Sequence, residues 1–213
     1  MAEPDTVARF EAAFATCPLV AILRGLEPRD AEAVGEILVR AGFRLIEVPL
    51  NSPDPFDSIA RLVKRFGDQA MIGAGTVLTA DEVLELADIG GTLVVSPHTD
   101  PKLIRAARKA GLVSLPGILS PTEAFAAIGA GANALKLFPM EMIGVAGVKA
   151  MRAVLPRDLR LIAVGGVGPT NMREFHAAGC SGFGLGSSLF RPGVPMATLR
   201  ALAEAAVGAV RSL

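Results

Sequence analysis

Val113-Ser114-Leu115-Pro116-Gly117-Ile118, Ser120-Pro121-Thr122-Glu123 and Ala134-Leu135-Lys136-Leu137-Phe138-Pro139 succeed one another and read as strand, helix start and strand. The two outer runs are continuously apolar, with Lys136 their one charge, as strands are when both faces of a sheet are covered. Ser120 and Glu123 make a capping box, with Pro121 at the first helical position. Together they form a βαβ unit, which requires parallel strands.

The same alternation runs along the chain. Strands are predicted near Leu19–Arg24, Leu45–Leu50, Met71–Val77, Leu93–Pro97, Val113–Ile118, Ala134–Pro139, Leu161–Val167 and Gly182–Phe190. Thr79-Ala80-Asp81-Glu82 is a second capping box, and Gly42, Gly67 and Gly111 are predicted left-handed helix caps. One helix at roughly Pro4–Thr16 precedes the first strand, and another covers about Met196–Ser212. Such units, with no linker and no shift in composition, predict a (β/α)8 TIM barrel with an extra N-terminal helix, one domain over residues 1–213. A doubly wound sheet is the alternative. It would carry a glycine-rich dinucleotide turn after its first strand, and Arg24-Gly25-Leu26-Glu27 is not one.

Composition narrows the function. The 213 residues are 51% hydrophobic with a formal net charge of +0. There is no basic excess to grip nucleic acid. No apolar run approaches the ~18–20 residues that span a bilayer. Met1-Ala2-Glu3-Pro4-Asp5 lacks a charged region followed by an apolar stretch, so no secretory leader is expected. Cys17 and Cys180 have no metal-type spacing and are expected to be free, buried thiols. With no Trp, no Tyr and two His, a zinc mechanism needing about three protein ligands finds none to assemble.

Lys136 carries the chemistry. Strand geometry places Ala134, Lys136 and Phe138 on one face. An ammonium held among apolar groups loses hydration, which lowers its pKa and frees an amine that forms Schiff bases with carbonyls. Leu45-Ile46-Glu47-Val48-Pro49-Leu50 is a second apolar run with one charge. Glu47 and Lys136 read either as a structural ion pair or as a nucleophile with its proton shuttle; buried pairs are weak sources of stability, which favours the second reading.

Barrel chemistry sits where the strands end. Arg24, Glu47, Thr76, Lys136, Gly165-Gly166 and Gly186-Ser187 all fall at or near such ends. Val164-Gly165-Gly166-Val167-Gly168-Pro169 and Gly184-Leu185-Gly186-Ser187-Ser188 close the last two strands, where backbone amides commonly hold phosphate. Ordinary turn chemistry is the bland reading of both. Gly73-Ala74-Gly75-Thr76 leaves room for a ligand beside the backbone, with the Thr76 hydroxyl able to bond a carboxylate. Arg24 could fork onto an anion or sit in a rim ion pair. His98 reads as a loop or cap residue, His176 as surface, and Cys180 as packing.

Glu47-Val48-Pro49-Leu50-Asn51-Ser52-Pro53, Ile72-Gly73-Ala74-Gly75-Thr76-Val77-Leu78, Leu135-Lys136-Leu137-Phe138-Pro139 and Ala163-Val164-Gly165-Gly166-Val167 resemble the 2-keto-3-deoxy-6-phosphosugar acid aldolases. The resemblance runs from Leu19 to about Arg191. It implies Lys136 as the Schiff-base lysine, Glu47 as general acid and base, and Arg24 and Thr76 as substrate contacts. It implies Gly165, Gly166, Gly186 and Ser187 as the phosphate cradle. It further implies a cytoplasmic homotrimer that needs neither metal nor cofactor and acts on a small phosphorylated keto-sugar acid, releasing pyruvate and glyceraldehyde 3-phosphate. Asn51 and Val164 resemble the galactonate type rather than the gluconate type, which has Arg and Thr there. Met140-Glu141-Met142 and the loop at His98 depart from the galactonate pattern. A metal-free phosphosugar isomerase or lyase, and a catalytically silent sugar-phosphate sensor, are the other readings.

Overall fold

Period-two alternation sorts each strand into an inner and an outer face. In the computed structural model, which describes residues 4–213, that sorting closes a barrel. Met1-Ala2-Glu3, part of the stretch behind the expectation of no secretory leader, lie outside the described residues. The strands are β1 (Leu19–Ile22), β2 (Leu45–Pro49), β3 (Met71–Gly75), β4 (Leu93–Val95), β5 (Val113–Leu115), β6 (Gly117–Ile118), β7 (Leu135–Leu137), β8 (Leu161–Val164) and β9 (Gly182–Leu185). The helices are α1 (Pro4–Thr16), α2 (Ala31–Ala41), α3 (Pro55–Phe66), α4 (Ala80–Asp88), α5 (Pro101–Lys109), α6 (Pro121–Ala130), α7 (Met140–Val154), α8 (Met172–Ala178) and α9 (Met196–Arg211).

All pairings are parallel, in the order β5-β4-β3-β2-β1-β9-β8-β7-β6. Strands β5 and β6 are the two halves of the predicted run Val113–Ile118, split at Pro116, which has no N–H to give a ladder. Its first half pairs with β4 and its second with β7, so this one segment closes the ring. The Pro116 carbonyl still accepts from the Lys136 amide at 2.9 Å. The fold is therefore the expected (β/α)8 barrel with an added N-terminal helix.

Two apolar layers result. Leu19, Ala21, Ile46, Val48, Leu135, Leu137, Leu161 and Ala163 face the helices. Val20, Ile22, Leu45, Met71, Val113, Leu115, Ala134, Ile162 and Val164 face inward. Phe10 and Phe14 of α1 join the inner cluster and plug the end of the barrel where the strands begin. Arg160 pins that helix, bonding the Glu11 carboxylate and lying 4.6 Å over the Phe14 ring.

Both predicted capping boxes form, at Thr79 with Glu82 and at Ser120 with Glu123. Gly42 and Gly111 take the left-handed conformation, but Gly67 does not. Its φ is −56°, because Gln69 and Ala70 bond back to the Phe66 carbonyl and continue a right-handed turn. The first strand ends at Ile22, before Arg24. The last ends at Leu185, because the Gly186 carbonyl accepts from Leu189 and Phe190 and turns the chain. Among the described residues no helix is long and apolar enough to cross a membrane.

Glycine positions test this packing in opposite directions. A Cβ at inward-facing Gly73 would overlap the Leu93 carbonyl across the β3–β4 ladder, whereas one at exposed Gly129 in α6 meets nothing within 4 Å. Gly129→Ala should raise the thermal midpoint by about 1–3 °C through its helix preference. Gly73→Ala should instead lower the midpoint or yield no soluble protein, as followed by calorimetry on both variants.

Candidate active site

The inner face of the barrel leaves two charges in the dark. Among the described residues, Glu47 and Lys136 are the buried charged side chains, 1% and 7% exposed. Their positions follow from alternation: Leu45 and Ala134 face inward, so Glu47 and Lys136, two residues on, do too. Glu47 sits level with Ile22 of β1 and Gly73 of β3, and Lys136 level with Gly117 of β6 and Ile162 of β8.

Burial dominates their protonation. Loss of water pushes the Glu47 carboxyl up to about 7, partly opposed by the positive charges of Lys136 and Arg24. Loss of water pulls the Lys136 ammonium down, with the Glu47 charge opposing and that of Arg24 assisting. No ion pair joins the two among the described residues, and Glu47 Oε2 has no hydrogen-bond partner. Lys136 Nζ stands 4.6 Å from the centre of the Phe138 ring. A neutral amine and a carboxyl able to exchange its proton near neutrality are thus compatible in one space.

Room for Glu47 comes from Gly75. A Cβ there would overlap Glu47 Oε2. The space expected beside Gly73-Ala74-Gly75-Thr76 for a ligand is therefore filled by the protein itself, by the Glu47 carboxylate at Gly75 and the Leu93 carbonyl at Gly73. Thr76 follows at a φ of +55°, a left-handed conformation rare for a β-branched residue, and half-buried at the end of β3.

Beyond the strand ends lies a cavity of about 810 Å³ lined by Arg24, Gly165, Gly166, Gly186 and Ser187, together with Glu141, Asn171 and Arg191. A small apolar void beneath it is lined by Lys136 and shares Ile22, Val164 and Gly184 with the cavity. Five of the expected site residues thus line one cavity, Lys136 lies below its floor, and neither Glu47 nor Thr76 is among the residues lining it. Gly165 and Gly166 have φ of 104° and 62°, a path only glycine follows easily. Asn171 fixes that loop by accepting from the Gly168 amide and donating to the Gly166 carbonyl, each at 2.9 Å. Helix α8 begins only at Met172, so these two glycines belong to the loop rather than to the helix start.

Arg24 is held from the turn that follows β2. Its Nη1 donates to Asn51 Oδ1 at 2.6 Å, and the Gly25 amide donates to Ser52 Oγ at 2.9 Å. His98 is exposed in a loop, where Asp100 rather than His98 caps α5. His176 is exposed on α8, and buried Cys180 packs with its thiol pushed up to about 12. Sequence reading missed Asn171 and Arg191, which carry no motif; Glu141 and Asn51 stood out only as marks of subtype. Among the described residues no three His, Cys, Asp or Glu side chains gather to hold a metal ion.

Residues 10–198 match the aldolase family described as KDPG and KHG aldolase. The chain belongs to this family of aldolases, which are carbon–carbon lyases. It is 52% identical over 192 residues to a probable 2-dehydro-3-deoxy-6-phosphogalactonate aldolase of Rhizobium meliloti (strain 1021), covering 90% of this chain and 91% of that protein. It is 46% identical over 194 residues to the 2-dehydro-3-deoxy-6-phosphogalactonate aldolase of Escherichia coli (strain K12), covering 91% of this chain and 95% of that protein. A solved structure described as native KDPGal superposes with a TM-score of 0.90 at 46% identity, covering 92% of this chain and 95% of that one.

The raised Glu47 carboxyl makes stability depend on pH. In the folded chain it keeps its proton to about 7, whereas unfolded it ionises near 4.5. Its contribution is complete below the unfolded value and is lost as pH rises toward 7. Glu47→Gln has no proton to lose. Its thermal midpoint should therefore gain on wild type between pH 5 and pH 8 by about 5 °C. A constant difference across that range would mean that the carboxyl is not desolvated as described.

Proposed function

We propose that this chain, as one barrel domain over residues 1–213, is a Schiff-base aldolase. It cleaves 2-dehydro-3-deoxy-6-phosphogalactonate to pyruvate and D-glyceraldehyde 3-phosphate. The observation that carries this reading is one desolvated lysine sharing the barrel interior with one desolvated carboxyl. Names of relatives at 46–52% identity supply the substrate.

Neutral Lys136 adds through Nζ to the C2 ketone. Glu47 protonates the resulting hydroxyl, water leaves, and a protonated imine forms. Glu47, now a carboxylate, takes the proton of the C4 hydroxyl. The C3–C4 bond breaks, its electron pair enters the imine system as an enamine, and C4 leaves as the aldehyde of glyceraldehyde 3-phosphate. Glu47 returns its proton to C3, and water hydrolyses the protonated imine to free pyruvate and neutral Lys136, the proton released going back to the Glu47 carboxylate. A carboxyl near neutrality can serve in both directions.

Arg24 and Thr76 hold the substrate, and backbone amides of Gly165, Gly166, Gly186 and Ser187 hold its phosphate. Binding that distant group positions the reacting carbons. Val164, shared by the cavity and the void at Lys136, offers no hydrogen bond to the C4 hydroxyl. A preference for the galacto over the gluco epimer is therefore modest, within the ~1–3 kcal/mol that apolar contacts discriminate.

The enzyme is a metal-independent, cofactor-free homotrimer of the cytoplasm, with no nucleic-acid or membrane partner. An apolar groove lined by Leu119, Met142, Ile143 and Val154, with Met142 71% and Val154 56% exposed, supports burial of that face between subunits.

Incubation with pyruvate and borohydride, followed by peptide mapping, tests the reading. Irreversible labelling at Lys136 is expected, with no labelling and no cleavage in folded Lys136→Arg, whose guanidinium cannot supply a neutral amine. Turnover near wild type in that variant would rule out the Schiff base, and no labelling would favour an isomerase or a sensor.

A further inference from the structure

The mouth of the cavity holds a carboxylate with no part in the steps above. Glu141 lies in the first turn of α7, exposed, and lines the cavity with Arg24 and Arg191. It lies directly over the two cradle glycines. Its Cγ and Oε1 are each 3.1 Å from where a Cβ of Gly166 would stand, and its Oε2 occupies the matching place at Gly165. Among the described residues it belongs to no ion pair. Helix α7 is also broken at Gly144, whose φ of 61° and ψ of 178° are not helical. The turn carrying Glu141 is thus not clamped by an unbroken helix.

We propose that Glu141 is a specificity-determining residue for the anionic end of the substrate. Its carboxylate covers the Gly165-Gly166 cradle and opposes a phosphate there. A phosphorylated substrate enters by turning Glu141 aside, and Arg24 and Arg191 offset part of the repulsion. The residue therefore sets how strongly a phosphorylated substrate is favoured over the same keto acid without phosphate. The inference rests on the phosphate placement proposed above.

Glu141→Gln keeps the size of the side chain and removes its charge. The experiment compares KM for the phosphorylated substrate and its dephosphorylated counterpart, with inorganic phosphate as a competitive inhibitor, in wild type and variant. The ratio of the two KM values should move about tenfold in favour of the phosphorylated substrate, as expected for one charge beside a phosphate of charge ≈ −1.5 to −2. Inorganic phosphate should inhibit the variant correspondingly more strongly, and Glu141→Lys should go further in the same direction. An unchanged ratio, in variants that pyruvate and borohydride still label at Lys136, would overturn the role of Glu141 while leaving the aldolase reading intact. If wild type does not distinguish the two substrates and phosphate inhibits neither protein, the cradle placement fails and the inference fails with it. Absence of pyruvate labelling in wild type would instead count against the aldolase itself.

Discussion

Water is excluded from the barrel interior where Lys136 and Glu47 stand, and the rest of the structure depends on how that exclusion is met. A buried ammonium and a buried carboxylate each lose hydration, and their mutual attraction returns only part of it. The strands respond with protonation rather than contact. The carboxyl moves up to about 7 and the amine moves down, each mainly because of burial. The space that fits poorly with two charges fits well with a proton that moves between groups, which is what amine catalysis on a ketone requires.

Glycines on the inner face make that space. Gly75 lets the Glu47 carboxylate lie against the backbone, Gly73 lets β3 and β4 approach, and Gly184 gives Val164 and Ile22 their places. Further out, Gly165 and Gly166 turn the β8 loop under the cavity, and Asn171 holds it. The site is therefore shaped as much by missing side chains as by present ones. Closure of the ring at Pro116 belongs to the same economy, since one segment serves two neighbours by breaking its ladder in the middle.

Much of this was legible in the residues. Two-residue spacing shows which residues share a face with a single charge inside an apolar strand, and the closed barrel shows which face is inner. Spacing thus grouped Lys136 with Ala134 and Phe138, and the capping boxes at Thr79 and Ser120 marked two helix starts. What stayed hidden depends on three-dimensional neighbours with no local pattern. Nothing near Gly75 reveals that Glu47, from the preceding strand, fills its empty side. Nothing near Gly67 reveals the backward bonds that hold it right-handed. Asn51 could be read as a mark of substrate type, but its hydrogen bond to Arg24 needs two strand ends side by side. Glu141 stood out in the sequence only as a mark of subtype, and only the fold shows it lying over Gly165 and Gly166.

Protonation of Lys136 is the most direct point of test. The chain has five lysines, of which Lys64, Lys102, Lys109 and Lys149 are exposed and Lys136 is buried. Carbon-13 labelling at lysine Cε allows each to be titrated separately by NMR. Lys136, assigned through Lys136→Arg, should titrate clearly below the ordinary lysine value of about 10.4. Lys136 titrating at that ordinary value would show that the barrel does not free this amine and would contradict the proposal that it is the nucleophile.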